Sequence, residues 1–338
     1  IKMGNDSVES YFAMRKIEVK NDKNGIPRIF LNNKPYFQKG VLDQGYWPDG
    51  LYTPPCDEAM IYDIQKMKDL GFNMIRKHIK IEPQRWYYHC DRIGMLVWQD
   101  MVNGGRDYKS WYVTYMATAM EGMHIRAKDT RIHLMGRQDP TGQKQFESEM
   151  KETIRRLYNH PSVVTWVTLK HLYNHPCIIG YTIFNEGWGQ FQTKKMTDIV
   201  RAEDPYRLTD SASGWFDQGC GDIRSIHDYF FPLHVTPEKR VTALTEFGGY
   251  SLQIPKHSMY EKKVYGYKKF KRKRELTAGY EKLIKKLIIP NISRGLSATV
   301  YTQLSDIEEE VNGIISYDRK IVKMDEKTVK KLNEKLHF

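Results

Sequence analysis

From Pro35 onward the chain alternates short apolar runs with amphipathic stretches, and no other feature restricts its fold so tightly. Strands are expected over 36–43, 73–79, 95–101, 207–213, 225–230, 243–248 and 296–304, and over one or both of the apolar runs within 157–186. Helical patterns fall between several of them, at 57–70, 83–92, 143–158, 190–203, 275–287 and 326–336. Asp57 is placed to cap the first helix and Pro83 to open the second, while Gly71 and Gly94 stand where those helices should stop. Eight strand slots alternating with helices predict a (β/α)8 TIM barrel. A doubly wound nucleotide fold would need a glycine-rich turn after its first strand. Residues 40–45, GVLDQG, have the wrong spacing and no Walker lysine.

Length and composition set outer bounds. A chain of 338 residues, 40% of them hydrophobic, can bury a large core. It has no apolar run long enough to span a bilayer, and its first residues lack the apolar stretch of a signal peptide. It does not open on Met, so a fragment of a longer protein is expected. Cys56, Cys90, Cys177 and Cys220 are scattered without a CxxC pair, which predicts free thiols, a cytoplasmic location and no structural zinc. The formal charge of +12 and the run KKFKRKR at 268–274 raise a polyanion partner. No nucleic-acid-binding pattern accompanies that run, so a solvated loop or helix start is the expectation, with no nucleic acid and no membrane as partner.

In a barrel of this kind the chemistry sits at the C-terminal ends of the strands. The polar residues that end apolar runs are Asp43, His78, Asp100, Asn185, Glu186, Ser211, His227, Asp228, Tyr229, Glu246 and Gln303. Two of these runs end in Glu. A buried carboxylate must be paired, hydrogen-bonded or catalytic, so a structural salt bridge and a catalytic pair both stay open. Glycoside hydrolysis uses such a pair, one carboxyl to protonate the leaving oxygen and one to attack or to activate water.

The motifs themselves carry a resemblance. TIFNEGWG at 182–189 resembles the Asn-Glu acid/base motif of glycoside hydrolase family 2, the β-galactosidases, β-glucuronidases and β-mannosidases, and LTEFGG at 244–249 is similar to its nucleophile strand. Residues 40–45, 72–78, 97–101, 226–229 and 301–306 follow the same pattern in order. The resemblance implies Glu186 as general acid/base and Glu246 as nucleophile, with Asn185 on the sugar 2-hydroxyl and Tyr229 orienting the nucleophile. It further implies that His78, His227, Asp43, Asp100, Trp215 and Gln303 line the sugar pocket. No local ligand spacing implies a catalytic metal, although some family members bind accessory cations, and no cofactor is expected. The implied activity is that of a retaining exo-β-glycosidase acting on an oligosaccharide or glycoside, with β-galactosides foremost and β-glucuronides or β-mannosides as alternatives. No clear Asn-x-Lys follows the nucleophile strand, which counts against a uronate-binding site. A catalytically impaired carbohydrate-binding fragment and a polyanion binder are the rivals from other classes.

Two departures from the family stand out. Full-length members carry β-sandwich domains before the barrel, and here residues 7–19 resemble only the last strand of an immunoglobulin-like domain. Residues 1–20 are therefore read as its remnant and 21–338 as the catalytic barrel, with homo-oligomerisation a property of the full-length protein. The second departure is a doubling: LYNHP occurs at 157–161 and again fifteen residues later at 172–176, each followed by a β-branched run. Lys170 and His171 stand in the first copy where Asn185 and Glu186 stand in the second. Only one copy fits the fourth strand slot. The second is expected there, with the first as an irregular excursion, because only the second continues into Gly187-Trp188-Gly189 in family register.

Overall fold

The computed structural model describes residues 2–3, 6–7, 11, 14–122, 127–157, 175–230, 232–236, 238–262 and 264–338. Eight parallel strands form one sheet: β1 (Gln38–Asp43), β2 (Met74–Lys77), β3 (Leu96–Asp100), β4 (Ile178–Asn185), β5 (Leu208–Ser213), β6 (Ile223–Asp228), β7 (Val241–Gly248) and β8 (Leu296–Thr302). Their hydrogen-bonded order is β5-β4-β3-β2-β1-β8-β7-β6, so the sheet curls and leaves one seam, between β5 and β6. That seam is bridged locally. The Asp222 N–H donates to the Thr209 carbonyl and the Thr209 N–H to the Asp222 carboxylate, each at 2.8 Å, and Ser225 Oγ donates to Asp210 Oδ2 at 2.5 Å.

The strands are buried on both faces, which is why they read as continuous apolar runs rather than as alternations. Leu42, Met74, Trp98, Ile179, Leu208, Ile223, Val241, Ala243, Ala298 and Val300 fill the barrel interior. Ile17 and Ile29 join the same cluster from below. They belong to a small antiparallel sheet in which Ile17–Asn21 pairs with Pro27–Leu31, and Arg28 of that sheet donates to the Leu296 carbonyl at 2.9 Å. The expected boundary between residues 20 and 21 thus falls within one strand.

The outer layer is formed by α1 (Asp57–Asp69), α2 (Gln84–Ile93), α3 (Pro140–Leu157), α4 (Thr193–Glu203), α5 (Lys273–Leu283) and α6 (Glu326–Glu334). Among the described residues no α-helix follows β5 or β6, so the (β/α)8 alternation is incomplete there. Capping also differs in detail from expectation. Cys56, not Asp57, holds the cap position of α1, and the Asp57 carboxylate instead meets His89 at 3.0 Å and Arg85 at 3.2 Å. Pro83 precedes α2 rather than forming its first turn. Gly94 does end α2, in the left-handed conformation at φ 76°. No described helix is long and apolar enough to cross a membrane. The basic run at 268–274 splits between an exposed two-residue strand and the exposed first turn of α5.

The second copy of the doubled segment occupies the fourth slot: Ile178–Asn185 pairs with β3 on one side and β5 on the other. Its entry is pinned. Asp91 of α2 accepts from the Cys177 N–H at 2.6 Å and meets His175 Nδ1 at 3.3 Å, while Arg207 Nε donates to the Ile178 carbonyl at 2.8 Å. The first copy, apart from Leu157 at the end of α3, lies outside the described residues.

Candidate active site

Parallel register brings the ends of β2, β3, β4, β6 and β7 together, and a buried arginine sits where they meet. Arg76, fully inaccessible in β2, donates from Nε and Nη2 to the two oxygens of Asp100 at 3.0 Å each. Its Nη2 also reaches Asn185 Oδ1 at 2.8 Å, and its Nη1 reaches Glu246 Oε1 and the Thr245 carbonyl at 3.1 Å each. A guanidinium is suited to this, being a planar fork of five donors that stays charged when buried. The two carboxylates hold Arg76 above its ordinary pKa against the opposing effect of burial.

Glu246 ends the apolar part of β7, with Oε2 accepting from Tyr229 Oη at 2.6 Å. Tyr229 in turn is 3.0 Å from Thr302 Oγ1 and lies face to face with Tyr267, ring centroids 3.7 Å apart. Glu246 thus meets a guanidinium on one oxygen and a hydroxyl donor on the other, so both oxygens act as acceptors.

Glu186 is placed differently. It follows β4 at φ 51°, an uncommon conformation for a side chain other than glycine. Its N–H donates to the Ser213 carbonyl at 3.0 Å and its own carbonyl accepts from Trp215 Nε1 at 3.1 Å. Gly187 must be glycine: a Cβ there would lie 2.5 Å from the Phe216 ring, and φ is 78°. The Glu186 carboxyl meets His227 Nδ1 at 2.9 Å and, among the described residues, pairs with no Lys or Arg. Burial pushes its pKa up, with His78 and Arg76 opposing from a distance. Burial also pushes His227 down to about 4, so the imidazole is neutral near pH 7.

A chain of hydroxyls orders that imidazole. Thr245 Oγ1 donates to the Ile226 carbonyl at 3.3 Å and Ser213 Oγ donates to Thr245 Oγ1 at 2.9 Å, leaving Ser213 Oγ to accept from His227 Nε2 at 2.8 Å. With its proton on Nε2, the ring presents a lone pair at Nδ1. That lone pair is placed to accept from Glu186 whenever its carboxyl carries the proton.

Glu186, His227 and Glu246 each offer a ligand atom, and those atoms all lie within 4.8 Å of one another. Three such groups have the spacing of a metal site, yet Arg76 already places a cation on Glu246, so the donors suit a carboxyl pair better than an ion. The 4.8 Å bound puts the two glutamates in the range of retaining glycosidases, about 5 Å, rather than the 6.5–9.5 Å or so that leaves room for an inverting water.

The other expected residues sort by role. Trp215 lies half-buried beside Glu186, its ring steeply inclined, at 73°, to that of His227. His78 meets Asp100 Oδ2 at 2.8 Å. Asp100 is 1% exposed and engaged by Arg76 and His78, so it positions those two rather than facing a ligand. Asp43, also buried, is held by Lys77 and the Gly45 N–H, away from both glutamates' own contacts. Gln303, just past β8, bonds Gln44 at 3.1 Å and Glu310 and Asn312 at 2.8 Å each. Ser211 faces Thr197 of α4, outside the cluster. Sequence reasoning did not single out Arg76, Ser213, Thr245, Tyr267 or Glu310. An arginine inside the apolar run NMIRK was the one readable signal, since a cation there must be paired.

Comparison with known proteins bears on this arrangement. Residues 23–169 match the model of "Glycosyl hydrolases family 2, TIM barrel domain". That match stops at the last residue of the first copy before the Lys170-His171 pair. Among curated proteins, a β-galactosidase of Photobacterium profundum is 27% identical over 154 residues, 46% of this chain and 12% of that protein. A mannosylglycoprotein endo-β-mannosidase of Lilium longiflorum is 29% identical over 168 residues, 48% of this chain and 15% of that protein. The matches thus span a small part of those relatives. Among solved structures, a family 2 β-galacturonidase of Eisenbergiella tayi shares the fold with TM-score 0.65 at 17% identity, over 96% of this chain and 55% of that one. A β-glucuronidase of Dictyoglomus thermophilum does so with TM-score 0.63 at 14% identity, over 96% and 54%.

Proposed function

We propose that this chain, whose residues 23–169 match the family 2 barrel domain, is a retaining exo-β-glycosidase of that family that works by double displacement, with β-galactosides as the leading substrate class. One observation carries the reading: two glutamates, an oxygen of each within 4.8 Å of the other, stand in unlike surroundings. Arg76 and Tyr229 donate to the two oxygens of Glu246, whereas burial raises the Glu186 carboxyl beside the neutral His227.

In the first step Glu246 attacks the anomeric carbon, and Glu186 gives its proton to the glycosidic oxygen as the aglycone leaves. The covalent glycosyl ester removes the charge on Glu246. Glu186 then loses the neighbour that disfavoured its own ionisation and accepts a proton from the incoming water, which releases the sugar with its β configuration. Asn185, held by Arg76, stands beside the acid to meet the sugar 2-hydroxyl.

Nitrophenyl β-glycosides test the reading. Glu246→Gln should lower kcat by a factor on the order of 10^3 or more for every leaving group. Glu186→Gln should be damaging for alkyl and sugar aglycones and much milder for dinitrophenol, which needs no protonation to leave. Equal losses for good and poor leaving groups would contradict the acid role of Glu186.

A further inference from the structure

The loop after β8 carries three consecutive acids, Glu308, Glu309 and Glu310, and the last of them turns inward. A main-chain ladder fixes it: the Tyr265 N–H donates to the Glu309 carbonyl at 2.7 Å and the Val311 N–H to the Tyr265 carbonyl at 3.3 Å. Glu310 Oε2 accepts from Gln303 Nε2 at 2.8 Å, and Asn312 Nδ2 lies 3.5 Å away. Gln303 follows Thr302, whose hydroxyl is 3.0 Å from Tyr229, the donor to Glu246. Glu310 therefore belongs to the wall of the same pocket, on the side where Gln44, Gln303 and Asn312 present amide groups. It is half-buried, and Oε2 is the oxygen that Gln303 and Asn312 engage.

Among the described residues no ion pair balances it. Around this mouth Lys77 is paired with Asp43 and Glu82, Lys80 with Glu82, Lys323 with Asp306, and Arg76 with Asp100 and Glu246. A sugar carboxylate entering here would meet an acid and neutral amides, with the Arg76 charge already engaged beneath. Recognition of a carboxylate calls for the opposite arrangement, an accessible guanidinium or ammonium. A neutral sugar, by contrast, finds in Glu310 an acceptor for its hydroxyls.

We propose that Glu310 is a specificity-determining residue of the glycone pocket, accepting from hydroxyls of a neutral hexose and excluding uronic acids by like charge. The inference rests on the glycosidase reading for the site itself but makes a separate claim about its selectivity. A like charge approaching within several ångströms in a partly dry pocket lowers the specificity constant on the order of 10^2-fold.

The experiment compares kcat/KM for nitrophenyl β-galactoside and β-glucuronide between the unaltered chain and Glu310→Gln. The unaltered chain should prefer the neutral hexoside by about a hundredfold, and Glu310→Gln should narrow that preference at least tenfold. A preference for the uronide, or a ratio unmoved by the substitution while both substrates turn over, overturns the proposal. Calorimetric binding of free galactose and free galacturonate covers the case in which no glycoside is hydrolysed. Galactose binding that excludes galacturonate until Glu310 is neutralised sustains the pocket assignment while the hydrolase reading falls; tighter binding of galacturonate, or binding of neither sugar, sinks the assignment too.

Discussion

Arg76 shows how one side chain organises a site. Its five donors are divided among Asp100, Asn185, Glu246 and a carbonyl, so removing it leaves two buried carboxylates without their cation. Arg76→Met should destabilise the fold by about 3–5 kcal/mol in urea unfolding, and Arg76→Lys should recover little because an ammonium cannot span the same fork. Ser213 acts at one remove from the acid. Since Glu186 is raised above its ordinary value of 4.5, the alkaline limb of kcat/KM belongs to its deprotonation and lies above that value. Ser213→Ala frees His227 to carry its proton on Nδ1 and donate to the Glu186 carboxylate, which favours the charged form. The alkaline limb should then move to lower pH, with KM for a neutral glycoside little changed; an unmoved limb would show that Ser213 does not order the imidazole.

At the scale of elements, the doubled segment is a contest for one strand position. Ile178–Asn185 holds that position because Asp91, Arg207 and the ladders on both sides engage it. Twenty residues then separate the end of α3 from β4, where such connections usually take about 2–6. Deleting residues 157–171 would join Arg156 to Leu172 and restore a short connection with the same LYNHP sequence. The shortened chain should keep its activity and melt no lower than the parent, whereas loss of folding would mean that the first copy supports the barrel. Strand and helix positions were legible because parallel strands buried on both faces leave unbroken apolar runs, as in 178–184, between amphipathic helices. The returns after β5 and β6 carry no helical pattern in the sequence, and among the described residues the structure has no helix there. Asp43 and Asp100 show a limit within the site. Their strand-end placement was readable, but their partners Lys77 and Arg76 come from the neighbouring strand, and pairing across strands leaves no mark in linear sequence.

The molecule as a whole should respond to pH through two buried groups of opposite sign. His227 is lowered to about 4, so between about 6.5 and 4 the unfolded chain binds the proton that the fold refuses, and stability falls as pH falls, by up to about 3 kcal/mol. Asp210 is raised to about 7, chiefly by burial, so the fold holds its proton where the unfolded chain has released it, and stability falls as pH rises from about 4 to 7. Urea unfolding across this range should show His227→Asn losing the acid-side decline and Asp210→Asn gaining on the parent as pH rises; parallel profiles for parent and variants would refute both assignments. The central claim is that the barrel brings Glu246 to an anomeric carbon as a nucleophile. Its most direct test is trapping with a dinitrophenyl 2-deoxy-2-fluoro-β-galactoside followed by peptide mass spectrometry. The account predicts one fluorosugar bound covalently to the peptide that contains Glu246 and none on Glu246→Gln. A label on any other residue, or hydrolysis of an unmodified β-galactoside with inversion at the anomeric carbon, would contradict it.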